Sequence, residues 1–222
     1  MTTILINDDL KLVKEGNKYI IQFERMTEAN VSLIKSLTKT RIIQGATVTR
    51  DYLTCKFQAQ TVTTLETFFK NKKATIFEAA NILKTLATQL NYLNHTEHKT
   101  ILGYEPSQII LINDKTPAYL GIQLIADMDV KSNLATICCL FNKNDFFAAP
   151  ELLKITRLPS QVHYKVSYFS LAYLIIYLLV GETEDNDPIK HLDTHHVKDT
   201  KLYWLLSRCL ELDPNKRSII FI

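Results

Sequence analysis

The sequence predicts an α+β fold in two parts, a reduced β-rich region over residues 1–60 and a mainly helical region over residues 61–222. Three observations carry that prediction. Leu10 to Lys14 and Lys18 to Phe23 are short β-favouring runs on either side of Glu15, Gly16 and Asn17, the pattern of a hairpin with Asn-Gly-type turn chemistry. Thr75-Ile76-Phe77-Glu78 has the spacing of a capping box, in which the Thr hydroxyl and the Glu carboxylate satisfy each other's orphan amides, and it opens a helix through Asn94. The run Phe169 to Val180 is apolar on every face, as expected of a helix buried in a core.

The other elements follow in order. Met26 to Leu37 carries Val31, Ile34 and Leu37 at helical spacing, and a second strand pair is expected over Arg41 to Val48 and Tyr52 to Gln58. The boundary between the two regions falls at Gln58 to Thr64. In the capped helix the expected buried stripe is Phe77, Ala80, Leu83, Ala87 and Leu90. Two short β-like runs come next, Ile109 to Ile112 and Ala118 to Leu124, reversed at Asn113-Asp114-Lys115. An irregular stretch, the apolar helix, an acidic loop from Gly181 to Asp187 and a last helix near Leu202 to Leu210 complete the chain.

Composition excludes several classes of function. With 222 residues, 46% hydrophobic and 22% charged, the chain has enough apolar material for a real core and is not a disordered tail. A net charge of +3 is too small and scattered for nucleic-acid binding, and Lys70-Asn71-Lys72-Lys73 is too short a basic turn to supply it. The five glycines stand far apart, so no glycine-rich loop can bring clustered backbone N–H groups to a phosphate. Cys55, Cys138, Cys139 and Cys209 lack CxxC spacing and read as reduced, buried thiols, with Cys138-Cys139 in core packing. The opening MTTILINDDLKL is acidic where a signal peptide is apolar, and the apolar run is about half of the ~20 residues that span a bilayer. An intracellular chain without membrane insertion is expected. His191, Asp193, His195 and His196 have helix-like spacing, but no further ligand completes a metal site, so a solvated segment is expected. His95 and His98 are placed to complement the carboxyl end of the capped helix.

Four segments carry a family resemblance: Pro106-Ser107-Gln108-Ile109-Ile110-Leu111, Phe147-Ala148-Ala149-Pro150-Glu151, Ser170-Leu171 in the helix ending at Gly181, and Cys209 through Asp213-Pro214-Asn215-Lys216-Arg217. In this order they resemble the protein kinase superfamily over nearly the whole chain. The resemblance implies a kinase-like two-lobe fold, with residues 1–60 a reduced N-lobe and residues 61–222 a helical C-lobe truncated at its C-terminal end. It implies that Glu151 and Arg217 form a buried structural ion pair beside the Pro150 turn. It also sets Ser167 at the place of the buried-helix aspartate that holds the family's catalytic loop.

The same resemblance shows what is missing. Kinase chemistry needs a base or orienting Asp, an Asn and an Asp on magnesium, and a strand Lys on the phosphates. Here the His-Arg-Asp position falls on Ile101-Leu102-Gly103, the following Lys is Glu105, and the metal-binding Asn is Gln108, one methylene longer. The Asp-Phe-Gly position falls on Gly121-Ile122-Gln123, and Gln22 stands for the strand Lys. Glu28 comes too early in its helix to serve as the ion-pair Glu. A second register would put Asp127 or Asp129 at the magnesium position. The resemblance thus implies a catalytically inactive pseudokinase with no cofactor, acting through a protein partner, an active kinase among the candidates, as a scaffold or allosteric regulator. Two alternatives stand beside it: a nucleotide-binding enzyme using substitute ligands, and a kinase mimic that inhibits an active kinase. The richness in Ile, Lys, Asn and Thr, typical of AT-biased genomes such as those of many viruses, favours the mimic weakly.

Overall fold

The computed structural model describes residues 2–7, 9–138, 147–181, 190, 192 and 196–220, and within them α-helices are mixed with antiparallel sheets. The first sheet has five strands, β1 (Thr2–Asn7), β2 (Leu10–Glu15), β3 (Lys18–Phe23), β4 (Thr47–Val48) and β5 (Thr54–Gln58), in the order β1-β2-β3-β5-β4. Gly16 turns β2 into β3 at φ +61°, a conformation that glycine adopts without strain. Alternation sets Leu10 and Leu12 opposite Phe23 and Ile21, and Tyr19 opposite Phe57, all buried. Helix α1 (Glu28–Lys39) starts at Thr27, whose hydroxyl accepts the Asn30 N–H at 3.2 Å. Its buried apolar face is Leu33, Ile34 and Leu37, and the expected Val31 is only half-buried. Residues 41–46 do not form the expected strand. Arg41 turns at φ 60°, the Ile43 N–H caps the end of α1 on Leu37 O, and Ile42 and Ile43 fold into the core.

From β6 (Val62–Thr64) the chain joins a second sheet, β6-β8-β9, with β8 (Ile109–Ile112) and β9 (Thr116–Tyr119) as its hairpin. Asn113 and Asp114 make the hairpin turn at positive φ, which their short polar side chains tolerate. The expected strand through Leu124 stops at Tyr119, and residues 122–124 form a 3₁₀ turn. Helices α2 (Leu65–Phe69) and α3 (Ile76–Thr96) lie between β6 and β8. The capping box at Thr75 and Glu78 is fully formed, and the Thr75 backbone N–H and hydroxyl hold the Glu78 carboxyl below its usual range.

The buried side of α3 consists of Ala79, Ile82, Leu83, Leu86, Ala87, Leu90 and Leu93, whereas Phe77 is 81% exposed. Its placement in the buried stripe is corrected by simple geometry. Phe77 and Leu86 are separated by about two and a half turns, which sets them on opposite faces.

The stretch expected to be irregular contains β10 (Ile125–Asp129), β11 (Leu134–Ile137) and β12 (Ser160–His163), which with β7 (Lys99–Ile101) form a third sheet ordered β12-β11-β10-β7. Helices α4 (Pro150–Leu153), α5 (Val166–Val180) and α6 (Lys201–Cys209) follow, with α5 packed on α3 and α6. Among the described residues no helix is long and apolar enough to cross a membrane. Cys55 and Cys209 are buried, and burial pushes their thiols up to about 11 and about 12. Cys138 is exposed, contrary to the core packing expected of it. Cys139, the acidic loop after Gly181 and His191, Asp193 and His195 lie outside the described residues.

The two faces of α3 give opposite expectations for urea denaturation. Phe77→Ser should change stability by less than about 0.5 kcal/mol, whereas Leu83→Ala should cost about 2–5 kcal/mol. Equal losses would contradict the face assignment.

Candidate functional site

Two features of the third sheet and the β8–β9 hairpin draw the sequence-predicted site residues together. Ile101 pairs with Ile125 across β7 and β10, and the Leu102 N–H donates to Leu124 O at 2.7 Å, so the segments after β7 and before β10 run side by side. The Leu120 N–H donates to Gln108 O at 2.8 Å, which fastens the open end of the β8–β9 hairpin. Gly103, Gln108 and Gly121 consequently meet in one buried junction.

Tyr119 fills that junction. Its hydroxyl donates to Gly121 O at 2.7 Å, with Gly103 O at 3.4 Å, and its ring meets the Tyr104 ring edge-on with centroids 5.2 Å apart. Burial, followed by the neighbouring Tyr104 and Glu105, pushes its phenol well above the ordinary range, so it acts as a neutral donor and not as a base. The backbone of Tyr119 is clamped as well. Gln89, fully buried on α3, accepts the Tyr119 N–H at 3.0 Å and donates to Tyr119 O at 3.0 Å and to Ser36 Oγ of α1 at 3.1 Å. One amide thereby ties α1, α3 and β9 to the junction.

Gly121 has no room for a side chain, because a Cβ there would overlap Gln108 Oε1 and the Tyr119 ring. Glu105 does not face outward to a ligand. Its two carboxylate oxygens accept from Ser107 Oγ and from Gln108 Nε2, the latter at 2.6 Å, within its own 3₁₀ turn at Pro106–Gln108. Gln108 Oε1 has no hydrogen-bond partner among the described residues, but a lone neutral oxygen is a poor substitute for the anionic oxygens that bind magnesium. Gln22 stands apart from this cluster, exposed on β3 with Lys11 and Thr54 across the ladder.

Asp127 and Asp129, the second-register candidates, are engaged elsewhere. Asp127 lies on β10 opposite Lys99 and pairs with its ammonium, which also reaches Glu28 at 3.6 Å. Asp129 caps the β10–β11 turn through Ser132 Oγ and the Lys131 N–H, the hydroxyl first among the causes that hold its carboxyl below the usual range. Among the described residues no group of three His, Cys, Asp or Glu side chains is arranged to hold a metal ion.

The junction is held from beneath by α5. Ser170 Oγ accepts the Tyr104 N–H at 2.8 Å, and Thr100 Oγ1 donates to Tyr164 O at 3.1 Å. The hydroxyl of Ser167, assigned that role by resemblance, instead donates to Tyr164 O at 2.9 Å and closes the first turn of its own helix. Ser170, one helical turn further along, is the residue of α5 whose hydroxyl meets the segment after β7.

Below these elements sits the ion pair. Pro150 occupies the first turn of α4, where its missing N–H costs nothing, and so positions Glu151 beside Arg217. The Arg217 guanidinium is 0% exposed and binds Glu151 through both terminal nitrogens, at 2.5 and 3.0 Å, while Glu151 itself is only partly buried. The guanidinium also donates to Glu211 O at 2.7 Å, Lys165 O at 3.2 Å and Leu212 O at 3.3 Å, and lies 5.1 Å from the centre of the Phe169 ring. All five N–H donors are thereby used. Nearby His163, whose Nδ1 accepts the Lys165 N–H, is held below its usual pKa by burial, then by Lys165 and Arg217.

Gln89, Tyr104, Tyr119 and Ser170 organise the junction, and of these only Ser170 is singled out by sequence reasoning, as part of a resembling segment and not as a contact of the junction. Gln89 left the clearest signal: a polar residue between Leu86 and Leu90 on an otherwise apolar helix face.

Two substitutions test this geometry. Gly121→Ala should destabilise the chain by about 1–3 kcal/mol in urea titration, since Gln108 and Tyr119 must both move. A neutral result would mean that the junction is open. Arg217→Ala should cost about 3–5 kcal/mol, because it leaves the carboxylate and three carbonyls without donors, and a cooperative fold of unchanged midpoint would count against that role. In comparison with known proteins, no family model and no curated protein matches the chain.

Proposed function

We propose that the chain is a catalytically inactive, kinase-like interaction module that acts by binding another protein, as a scaffold or an allosteric regulator. The reading joins the motif resemblance to one structural observation. Three of the positions at which the resemblance would place phosphoryl-transfer groups, Gly103, Gln108 and Gly121, converge, and the place where they converge is packed with Tyr119 and the Gln108 amide. Phosphoryl transfer works by positioning and by electrostatic stabilisation of a highly charged group. The junction offers neither: Gly103 and Gly121 have no side chains, and the Glu105 carboxylate is already satisfied within its own turn. In this reading the two-lobe kinase architecture is retained as a frame, with Arg217 and Glu151 holding its larger part.

The test is a phosphotransfer assay on the purified chain with magnesium, radiolabelled ATP and generic protein substrates. No incorporation above the buffer control is expected. Incorporation that disappears in Asp127→Asn or Asp129→Asn protein would overturn the proposal and restore the nucleotide-enzyme reading with substitute ligands.

A further inference from the structure

Away from the junction, the basic turn between α2 and α3 forms one wall of a groove of about 480 Å³, lined by Phe69, Lys70, Lys72 and Lys73 on one side and by Tyr177 and Leu178 of α5 on the other. We propose that this groove is the docking site for an acidic peptide segment of a partner protein, one that also carries a bulky apolar side chain. The inference rests on the reading of the chain as an interaction module and names the surface that does the work.

Charge complementarity is the first argument. Lys70, Lys72 and Lys73 are all exposed, and among the described residues none of them takes part in an ion pair. Glu78, whose carboxylate feels the Lys72 charge, is committed to the capping box. Three ammonium groups so gathered, with no carboxylate paired to them among the described residues, favour a ligand that brings several carboxylates.

Preorganisation is the second argument. The Ala74 N–H donates to Leu178 O at 2.7 Å and ties the turn to the end of α5, and the Lys72 ammonium sits over the Phe68 ring, 3.4 Å from its centroid. The groove therefore exists before binding, which lowers the ordering cost of association.

The third argument is apolar. Phe69, Tyr177 and Leu178 give the groove an aromatic and aliphatic floor, and Ile76 and Phe77 stand exposed at the start of α3, a few residues beyond Lys73. An extended segment could lay carboxylates along the lysines and bury one large side chain on that floor. A concave site fits such a segment better than it fits the flat surface of an anionic membrane, which the same charges and exposed Phe77 would otherwise suit.

The experiment is fluorescence anisotropy of a fluorescein-labelled peptide of glutamate and aspartate residues around a single phenylalanine, titrated with the full chain. Saturable binding is expected, weakening by about tenfold or more in the Lys72→Glu/Lys73→Glu protein, weakening likewise when the peptide's phenylalanine becomes serine, and falling as salt is raised. The milder Lys72→Gln/Lys73→Gln protein should shift affinity in the same direction and guards against a folding defect. No saturable binding, or binding indifferent to these lysines, would overturn the groove. Phosphatidylserine vesicles that capture the chain through Phe77 and displace the peptide would overturn it too, in favour of a lipid surface. Peptide binding that fails in a chain without phosphotransfer removes the groove and leaves the interaction reading intact. Phosphotransfer in a chain that still binds peptide removes the interaction reading and leaves the groove.

Discussion

The Arg217 guanidinium is the constraint on which the helical part of the molecule depends. A cation with no solvent exposure is tolerable only if every N–H finds an acceptor, and here one carboxylate and three backbone carbonyls supply all five bonds. Those acceptors come from α4, from the residue that precedes α5, and from the segment after α6. The network therefore fixes three parts of the chain that are distant in sequence. Lysine could not do the same, since a point ammonium has three donors and no planar fork. Phe169, the fourth residue of α5, closes the remaining side with its ring.

A second polar device works one layer higher by the same rule. Gln89 presents one donor and one acceptor to the backbone of Tyr119, and that residue in turn offers its hydroxyl to the carbonyls of Gly121 and Gly103. Each buried polar group on this path is paired, so the path is a source of order and not of desolvation cost. The unpaired atoms lie at its edge, at Gln108 Oε1 and the Tyr104 hydroxyl. A region that in the family resemblance would be a wet, charged cleft is here a buried contact between two glycines and a tyrosine.

What was legible in the sequence is what short-range physics writes into it. The β2–β3 hairpin, the capping box, the β8 strand, α5 and α6 all have local signals, either turn residues, caps or unbroken apolar runs. The four-stranded sheet through β7, β10, β11 and β12 was hidden because its strands have three to five residues each and two of its three pairings, β7 with β10 and β11 with β12, span long separations. Phe77 is exposed despite its hydrophobicity, because the helical angle at position 77 sets it opposite the buried face. At the site, the absence of charged groups at 103 and 121 was plain from residue identity alone. That Tyr119 fills the space, that Ser170 and not Ser167 holds the segment after β7, and that Asp127 is spent on Lys99 are properties of register and packing, which no spacing rule contains.

The central claim is that the Gly103–Gln108–Gly121 junction is a packed structural contact and not a nucleotide site. Titration of the isotopically labelled chain with magnesium and ATP, followed through the backbone amide resonances of Gly103 and Gly121, tests it most directly. Resonances that stay in place at millimolar nucleotide are expected. Saturable, magnesium-dependent shifts at these two glycines would contradict the claim, because they would require the Tyr119 and Gln108 side chains to yield to a ligand.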